Sequence, residues 1–121
     1  MTPVRRFPIR GEIWWTHFHT DPPEKGRRPV IVVSPDARNR HERSNSVLVI
    51  PLSTSIHKLG PAHLLLTSGE TGLRVDCAAQ ADNIAVVSRS LLQEPGAGQR
   101  ILSNTKICLL ASLVRIAMGC S

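Results

Sequence analysis

The sequence of 121 residues has no long hydrophobic run. Its apolar stretches are far shorter than the ~20 residues that span a bilayer. The N-terminal segment, residues 1–10, contains arginines but no apolar core of the kind that marks a secretory signal. The sequence therefore predicts a cytoplasmic protein that does not act at a membrane.

Cysteines are few, and their number is odd. Cys77, Cys108 and Cys120 form no CxxC pair, a usage typical of reduced thiols in the cytosol. We expect two of the three to pack as small hydrophobic residues. Cys77 has no flanking cation and no evident base to activate its thiol, which argues against a catalytic cysteine.

The usual motifs for phosphate loops and metal sites are missing as well. The sequence contains neither GxGxxG nor a P-loop, and the glycines on either side of Ala97 are typical of a turn. His17 and His19 share one face of a predicted strand, but no carboxylate or cysteine stands at a ligand spacing from them. The sequence predicts no metal and no cofactor.

Charge is the strongest signal in the composition. Fifteen Lys and Arg against nine Asp and Glu give a formal charge of +6, which favours a polyanionic partner because neutralised phosphates release counterions. Nine prolines and the lack of a long like-charge run argue against a disordered basic tail. We therefore expect one folded domain, residues 1–121, that binds nucleic acid, the alternative being a merely basic protein.

Short segments rich in β-branched and aromatic residues alternate with turn sequences. They predict strands at 11–19, 29–33, 47–52, 62–67, 73–80 and 83–87. A polar loop at 20–27 separates the first two strands, and a turn is expected at 68–72.

The last part of the chain predicts one amphipathic helix. Ser103 is a suitable N-cap, although Lys106 occupies the position where a capping box has Glu or Gln. An apolar stripe follows at helical spacing, formed by Ile107, Leu110, Leu113, Val114 and Ala117. Short strands and one closing helix predict a mainly β (α+β) protein, a small twisted barrel or curled antiparallel sheet with the helix packed against it.

Arg28 stands at the junction between the polar loop and a buried strand. The ring of Pro29 restricts the preceding residue to extended geometry, which holds the guanidinium in one direction. A planar, permanently charged fork suits bidentate contact with phosphate. Arg28 is therefore a candidate anion clamp, with Glu24, Lys25 and Arg27 as further candidate substrate contacts; a surface arginine without a role is the alternative.

Hydroxyl side chains follow the next strand. Ser53 and Thr54 come directly after residues 47–52, and such clusters usually cap turns. One hydroxyl would instead reach a phosphate if this strand lies beside 29–33, as successive strands usually do. His63, at the start of the fourth predicted strand, is a candidate for contacting a base or carrying a proton, because imidazole titrates near neutral pH.

Three motifs, in this order, resemble the MazF/PemK toxin family. They are RGEIW at 10–14, GRRPVIVVS at 26–34 and VIPLST at 49–54. Further along, the stretch Asp-Asn-Ile at 82–84 is similar to that of one branch of the family. The resemblance extends from about residue 10 to the C-terminal helix.

The resemblance implies a homodimer of SH3-like barrels of the CcdB/MazF type. It also implies a ribosome-independent endoribonuclease that cuts single-stranded RNA at short sequences without a metal, leaving a 2′,3′-cyclic phosphate and a 5′-hydroxyl. The implied protein partner is a MazE-like antitoxin that lays an acidic segment over the groove. By matching positions, Arg28 is the active-site arginine, Ser53 replaces the family's threonine, and Gln80 matches a glutamine that follows an acidic residue in many members.

The sequence departs from the family at two positions. Ser53 keeps the hydroxyl of threonine but lacks the methyl group that restricts its rotamers. Ala79 stands where many members carry Asp or Glu, so their base specificity does not transfer. The loop 21–27 is also somewhat shorter than in some relatives.

The implied chemistry assigns a role to each candidate. Arg28 stabilises charge on the phosphorane, and Ser53 hydrogen-bonds a non-bridging oxygen. Because a guanidinium is a poor base near neutral pH, Arg28 is expected to act electrostatically, with His63 as a candidate proton carrier. Phe18 and Trp15 are candidate platforms for stacked bases, although core packing is the expected role of the tryptophans.

Two other functions stay open at this point. One alternative is a CcdB-like toxin of the same fold, a resemblance that implies gyrase binding through a tryptophan near the C-terminus. This chain ends Ala-Met-Gly-Cys-Ser, without a tryptophan there, which counts against that alternative. The other alternative is a catalytically inactive SH3-like module that binds RNA, in which Ser53 is only a cap.

Overall fold

The computed structural model describes residues 7–18, 21–96 and 98–120. The strands within them are β1 (Ile13–Thr16), β2 (Arg28–Val32), β3 (Ser46–Ser53), β4 (His63–Leu66), β5 (Cys77–Gln80) and β6 (Ala85–Ser88). The α-helices are α1 (Asp36–Asn39), α2 (Ser68–Thr71) and α3 (Asn104–Ala117), and 3₁₀ turns occur at Pro23–Lys25, Ala81–Asn83 and Arg89–Leu91. The mainly β fold with a C-terminal helix, predicted from the sequence, is confirmed.

Some predictions fall on residues that the structure leaves out. His19, Thr20 and Ala97 lie outside the described residues. Within the described ranges, no helix combines the length and the apolar character needed to cross a bilayer.

All strands pair antiparallel, in the order β1-β2-β3-β5-β4, and β6 pairs with β3. Val49 of β3 pairs with Val32 of β2 on one side and with Ala85 of β6 on the other. Further along, β3 pairs with β5 at residues 52–53. Pro51, which has no N–H to donate, falls where β3 exchanges β6 for β5, a position that proline tolerates. β3 therefore joins both halves of the sheet.

Side-chain alternation along β2 divides the core into two layers. Ile31 faces the layer that α3 closes, which contains Ile13, Ile50, Leu52, Leu66, Cys77, Ala79, Ala81, Leu102, Ile107 and Leu110. Val30 and Val32 face a smaller layer with Trp14, Val47 and Val49. Burial on both faces explains the continuous apolar run at 29–33.

The closing helix begins as predicted. The Ser103 hydroxyl accepts a hydrogen bond from the Lys106 N–H at 3.2 Å and so caps α3. Ile107 and Leu110 are buried in the core, and Leu113 and Val114 pack against it from a half-buried position. Ala117 is exposed, so its place in the predicted stripe is wrong: the helix has moved off the sheet by its last turn.

The segment 67–80 differs from the prediction. The expected turn at 68–72 is the one-turn helix α2, and the expected strand at 73–80 is confined to Cys77–Gln80. The Ser68 N–H donates to Asp76 Oδ1 at 2.8 Å, which ties the chain before Cys77 back to α2. Likewise, the strand expected at 83–87 is shifted to Ala85–Ser88 because a 3₁₀ turn occupies Ala81–Asn83.

The cysteines are distributed differently from the expectation. Cys77 is buried, but both Cys108 and Cys120 are exposed, so the prediction of two buried cysteines is wrong. Cys108 lies on the outward side of α3, where its small side chain has no core to join. Burial, with a smaller contribution from Asp76, raises the pKa of the Cys77 thiol, which keeps it neutral and unreactive, in line with the sequence argument.

Candidate active site

Arg28 is held by contacts from three parts of the chain. Its Nη2 donates to Gln80 Oε1 at 3.0 Å and to the Leu52 carbonyl at 3.4 Å. Its Nη1 lies 3.5 Å from Asp21 Oδ2, and its Cζ lies 5.8 Å from the centre of the Phe18 ring. The guanidinium is thereby fixed in one orientation before any ligand binds, which is the arrangement that favours electrostatic catalysis.

Asp21 is the carboxylate partner of Arg28. The side chains of Arg28 and Asp21 are only 21% and 12% exposed, so water screens their attraction less than it screens a surface ion pair. The sequence analysis assigned no role to Asp21. No spacing signal could have found it, because a single Asp in a proline-rich loop is typical of turn chemistry.

Ser53 ends β3 beside Arg28. The β2–β3 pairing Val30↔Pro51, continued by two residues, sets Ser53 opposite Arg28, and the Leu52 carbonyl that Arg28 contacts belongs to the preceding peptide. Alternation from Pro51 and Val30 puts both side chains on the same face. Ser53 Oγ accepts a hydrogen bond from the Ser55 N–H at 3.1 Å, which leaves its own proton available for donation. The two interpretations of Ser53, turn cap and phosphate donor, are therefore compatible.

Gln80 connects Arg28 to the 3₁₀ turn that follows β5. Its Oε1 accepts from Arg28 Nη2 at 3.0 Å and from Asn83 Nδ2 at 3.3 Å. Because Gln80 is the last residue of β5 and Asn83 ends the turn, the turn geometry brings the amide to the arginine. Sequence reasoning noticed residues 82–84 only as a family likeness and gave Asn83 no role.

His63 pairs with Gln80 in the β4–β5 register. Its Nδ1 accepts from the Gly60 N–H at 2.9 Å, and its Nε2 lies 3.1 Å from Asp82 Oδ1. Since Nδ1 is the acceptor, the ring proton belongs on Nε2 and is donated to Asp82. Both ring nitrogens of His63 therefore have a hydrogen-bond partner, and Asp82 is its side-chain partner.

A cavity of about 400 Å³ opens around Arg28, a size typical of ligand pockets. We call it the Arg28 groove; it is lined by Phe18, Asp21, Arg28, Pro51, Asp82, Asn83, Ile84 and Ala85. The lining combines a cation, two carboxylates, an amide and apolar surface. This mixture suits a phosphate with an attached base better than a purely apolar ligand.

Among the described residues, Arg28 is the predicted site residue that lines this groove, and Ser53, Gln80 and His63 adjoin it through Arg28 and Asp82. The remaining predicted site residues are not in the lining. Glu24 and Lys25 are exposed on the 3₁₀ turn before β2, and Arg27 is exposed next to Arg28. Thr54 is exposed and lines a separate cavity. Ala79, the position that carries an acid in many relatives, is fully buried in the core, so it presents no group to the groove.

No metal centre is formed by the part of the chain that the structure describes. Among residues 7–18, 21–96 and 98–120, no three His, Cys, Asp or Glu side chains converge as metal ligands would. His17, which was predicted to lie on the first strand, follows the end of β1 at Thr16, and its Nε2 lies 3.4 Å from the carbonyl oxygen of Pro22. The positive charge in the groove therefore comes from Arg28.

Comparison with known families matches nearly the whole chain. Residues 9–117 match the family described as PemK-like, MazF-like toxin of type II toxin-antitoxin system. That range includes all of the groove residues and the closing helix.

Individual relatives give the same answer. Endoribonuclease MazF9 of Mycobacterium tuberculosis is 36% identical over 94 residues, which are 71% of this chain and 77% of the relative. Probable endoribonuclease MazF5 of the same organism is 31% identical over 114 residues, 94% and 95% of the two chains. A solved mycobacterial endoribonuclease in complex with its cognate antitoxin superposes with a TM-score of 0.68 at 19% identity, covering 97% of this chain and 98% of that one. The superposition confirms the predicted fold class.

Proposed function

Because this chain belongs to the family of PemK-like, MazF-like toxins, we propose that it is an endoribonuclease that cleaves single-stranded RNA in the Arg28 groove. One observation carries the proposal: a guanidinium held by Gln80 and Leu52 lies at the start of β2, beside the hydroxyl of Ser53 at the end of β3. The two curated relatives named as endoribonucleases support it.

The proposed reaction is transfer of the phosphoryl group to the neighbouring 2′-oxygen. The 2′-hydroxyl loses its proton and its oxygen attacks phosphorus, the bond from phosphorus to the 5′-oxygen breaks, and that oxygen gains a proton. The products are a 2′,3′-cyclic phosphate and a 5′-hydroxyl. No water and no metal enters this balance, so the protein has only to orient the strand, stabilise the phosphorane and move protons.

Arg28 stabilises the negative charge that develops on the non-bridging oxygens. Its fork is already oriented, so little reorganisation is needed when the transition state forms. Ser53 donates its free hydroxyl proton to one of the same oxygens and fixes the line of attack. His63 is the proposed proton carrier and acts through Asp82, because its Nε2–H is directed to that carboxylate, which lines the groove.

The loop before β2 is proposed to bind the flanking strand. Lys25 and Arg27 are exposed on the approach to Arg28 and supply charge for neighbouring phosphates. Glu24 on the same turn offers a carboxylate that accepts hydrogen bonds from base amino groups.

Partners and location follow as proposals from the same family. The solved relative in complex with its cognate antitoxin supports a MazE-like antitoxin whose acidic segment covers the Arg28 groove, in a cytoplasmic protein. A homodimer is also proposed. Val86 on β6 and Met118 after α3 are 61% and 73% exposed, and burial of such apolar side chains against a second copy would favour association. Light scattering in solution tests the dimer, which requires twice the 13.3 kDa of one chain.

Cleavage of a mixed-sequence RNA in EDTA tests the proposed function. Wild-type protein is expected to produce 5′-hydroxyl ends, which polynucleotide kinase labels without prior phosphatase treatment, and cyclic phosphate ends. Arg28→Ala is expected to lower the rate by about a hundredfold or more. Ser53→Ala removes one hydrogen bond to a charged group and is expected to lower it less, by about tenfold to a hundredfold.

Arg43→Ala is the matched control, because Arg43 is an exposed arginine at the opposite end of β3 from Ser53. An Arg28→Ala rate within tenfold of wild type contradicts the assignment. RNA binding without cuts supports the inactive RNA-binding module instead, and no effect on RNA favours the gyrase-binding alternative.

A further inference from the structure

A second cavity lies next to the Arg28 groove, on the other face of the same strand ends. Its volume is about 360 Å³, and its lining includes Trp15, Pro29, Thr54, Leu73, Arg74 and Gln99. We call it the Trp15 pocket. Pro29 follows Arg28, which lines the groove, and Thr54 follows Ser53, the residue opposite Arg28, so the pocket lining begins one residue beyond each of the two proposed catalytic residues.

Trp15 is the aromatic wall of this pocket, and its backbone is fixed on both sides. It pairs with Pro29 of β2, and on its other side it exchanges two hydrogen bonds with Gln93, of 3.0 Å and 2.8 Å. Its neighbour Trp14 is buried in the core and donates through Nε1 to Glu12 at 3.1 Å. Trp15 instead remains half-buried, with part of its ring available to a ligand.

The opposite wall is formed by a close backbone contact. Gly72 has φ +77°, and a Cβ at this position would lie 2.2 Å from the Gly98 carbonyl oxygen. The Arg100 N–H donates to the Thr71 carbonyl at 2.9 Å and fastens the two segments together. The pocket is therefore preformed, so a ligand need not order its walls on binding.

The chemistry of the lining suits a nucleobase. Trp15, Pro29 and the buried, neutral thiol of Cys77 form an apolar surface without fixed charge. Polar groups stand beside it: Gln99 accepts from the Gly96 N–H through Oε1 at 3.1 Å, so its donor group is Nε2. Arg74 is exposed and offers a cation to the sugar–phosphate backbone. A flat ring with polar edges matches this combination, whereas a phosphate would meet mostly apolar atoms.

We propose that the Trp15 pocket binds the base of a nucleotide adjacent to the scissile phosphate, stacked on the Trp15 ring. The inference rests on the proposed function, because it assumes that Arg28 holds the scissile phosphate. Pro29 and Thr54 directly follow Arg28 and Ser53 at the ends of β2 and β3, so a strand held at Arg28 and Ser53 reaches this pocket by passing around those strand ends to the other face. Trp15 is then a substrate-binding residue that contacts the strand outside the reacting linkage.

Abasic substitutions in the substrate test this inference. A short RNA with one cleavage site is prepared in versions that lack the base at each position in turn, and kcat/KM is measured for each. One position next to the cut is expected to lose about tenfold with wild-type protein, the size typical of one base stacked on an aromatic side chain. Trp15→Leu keeps an apolar side chain of fair size, but leucine cannot stack on a base. The variant is expected to have a kcat/KM about tenfold lower on intact RNA, and removal of the base at that position should lower its kcat/KM no further.

Two control variants distinguish base stacking from a general loss of activity. Trp15→Phe restores a ring and is expected to recover part of the lost rate, and Arg43→Ala should respond to every abasic substrate as wild type does. Thermal unfolding of each variant shows whether the domain is intact. If folded Trp15→Leu cleaves intact RNA at the wild-type rate, or still loses tenfold at the same abasic position, the proposal is overturned.

Two further outcomes are equally decisive. If Trp15→Leu cleaves normally but escapes inhibition by a cognate antitoxin, the pocket binds protein and the base proposal fails. If wild-type protein cuts no RNA, the proposed function fails first and the subsite fails with it, an outcome distinct from a loss confined to the Trp15 variants.

Discussion

Under the proposed function, Asp21 and a phosphate of the substrate would compete for the Arg28 guanidinium. Within the described residues, Asp21 is the carboxylate in contact with the Arg28 guanidinium, at 3.5 Å. In the free protein it holds the arginine in place, and when RNA arrives it places a negative charge close to the incoming phosphate. Asp21 is therefore expected to keep the Arg28 guanidinium in one orientation in the free protein and to lower the affinity for RNA.

Replacing Asp21 by Asn tests this role. Asp21→Asn keeps a side chain of the same shape but removes the charge, so KM for RNA is expected to fall severalfold while kcat stays within about tenfold of wild type. Steady-state kinetics on a defined RNA measure both constants. A fall in kcat of a hundredfold or more with unchanged KM would instead identify Asp21 as the group that accepts the 2′-hydroxyl proton.

At this scale, local sequence rules found some of the site residues and missed others. The proline after Arg28 indicated an oriented cation, whereas Ser53 was singled out from its hydroxyl-rich segment only by the resemblance to the MazF/PemK family. Asp82 and Asn83 acquire their places only through the 3₁₀ turn that brings them to His63 and Gln80. Such contacts depend on strand register and cannot be read from spacing.

The α2 turn is the element whose geometry most depends on a glycine. Gly72→Ala combines a positive φ with a contact of 2.2 Å to the Gly98 carbonyl, so it is expected to destabilise the protein by about 2 kcal/mol or more and to lower Tm by about 8 °C. Gly69→Ala is the control within the same helix: its Cβ would meet only Thr67 Oγ1 at 3.8 Å. That change is expected to be neutral or slightly stabilising, and thermal unfolding followed by circular dichroism measures both. Equal Tm values for the two variants would contradict the close-packed wall.

Glu70 links α2 to the closing helix and makes part of the stability depend on pH. Its carboxylate accepts from the Thr67 N–H at 2.8 Å and pairs with Lys106 Nζ at 3.0 Å. The Thr67 hydrogen bond first, and Lys106 second, lower the pKa of Glu70 from its ordinary 4.5. A carboxyl group with a lowered folded-state pKa stabilises the protein above its unfolded-state pKa and loses that contribution as the pH falls through the folded-state value.

Glu70→Gln isolates this contribution. Glutamine still accepts from the Thr67 N–H but neither titrates nor pairs with Lys106, so the variant should be less stable than wild type at neutral pH by less than about 1 kcal/mol. The difference in Tm between the two proteins is expected to shrink as the pH is lowered below 4.5. Urea or thermal unfolding at several pH values measures it, and a constant difference down to about pH 3 would contradict the linkage.

The elements themselves were predictable where one physical signal dominated. β2 and β3 contain the continuous apolar runs 29–32 and 47–52, and α3 has a capping serine followed by Ile107 and Leu110 at helical spacing. The segment after α2 misled the prediction because Leu73 and Val75 have strand-forming side chains, whereas the Ser68–Asp76 hydrogen bond folds the chain back. The sequence did hold a usable signal for α2 itself: Thr67 and Glu70 form a capping box at the expected spacing.

For the molecule as a whole, the charge of +6 predicts that activity depends on salt. Each phosphate of a single strand that a cation neutralises contributes about −0.7 to the slope of log kcat/KM against log salt when binding is limiting. Arg27→Gln is expected to make that slope less negative by about 0.7, because Arg27 is exposed beside the groove. Arg43→Gln, the same change far from the groove, should leave the slope closer to the wild-type value. Initial rates at several KCl concentrations decide between them, and identical slopes for both variants would mean that Arg27 contacts no phosphate.

The shared strand β3 has a consequence for when the candidate site can assemble. Arg28 belongs to β2, Ser53 to β3 and Gln80 to β5, and β3 pairs with both of the others; the core beneath them is completed by Ile107 and Leu110 of the last helix. Arg28 is therefore synthesised well before β5 and α3, the elements that hold its guanidinium and complete the core beneath it. Truncation before α3 is therefore expected to leave Arg28 without the packed core that supports its orientation.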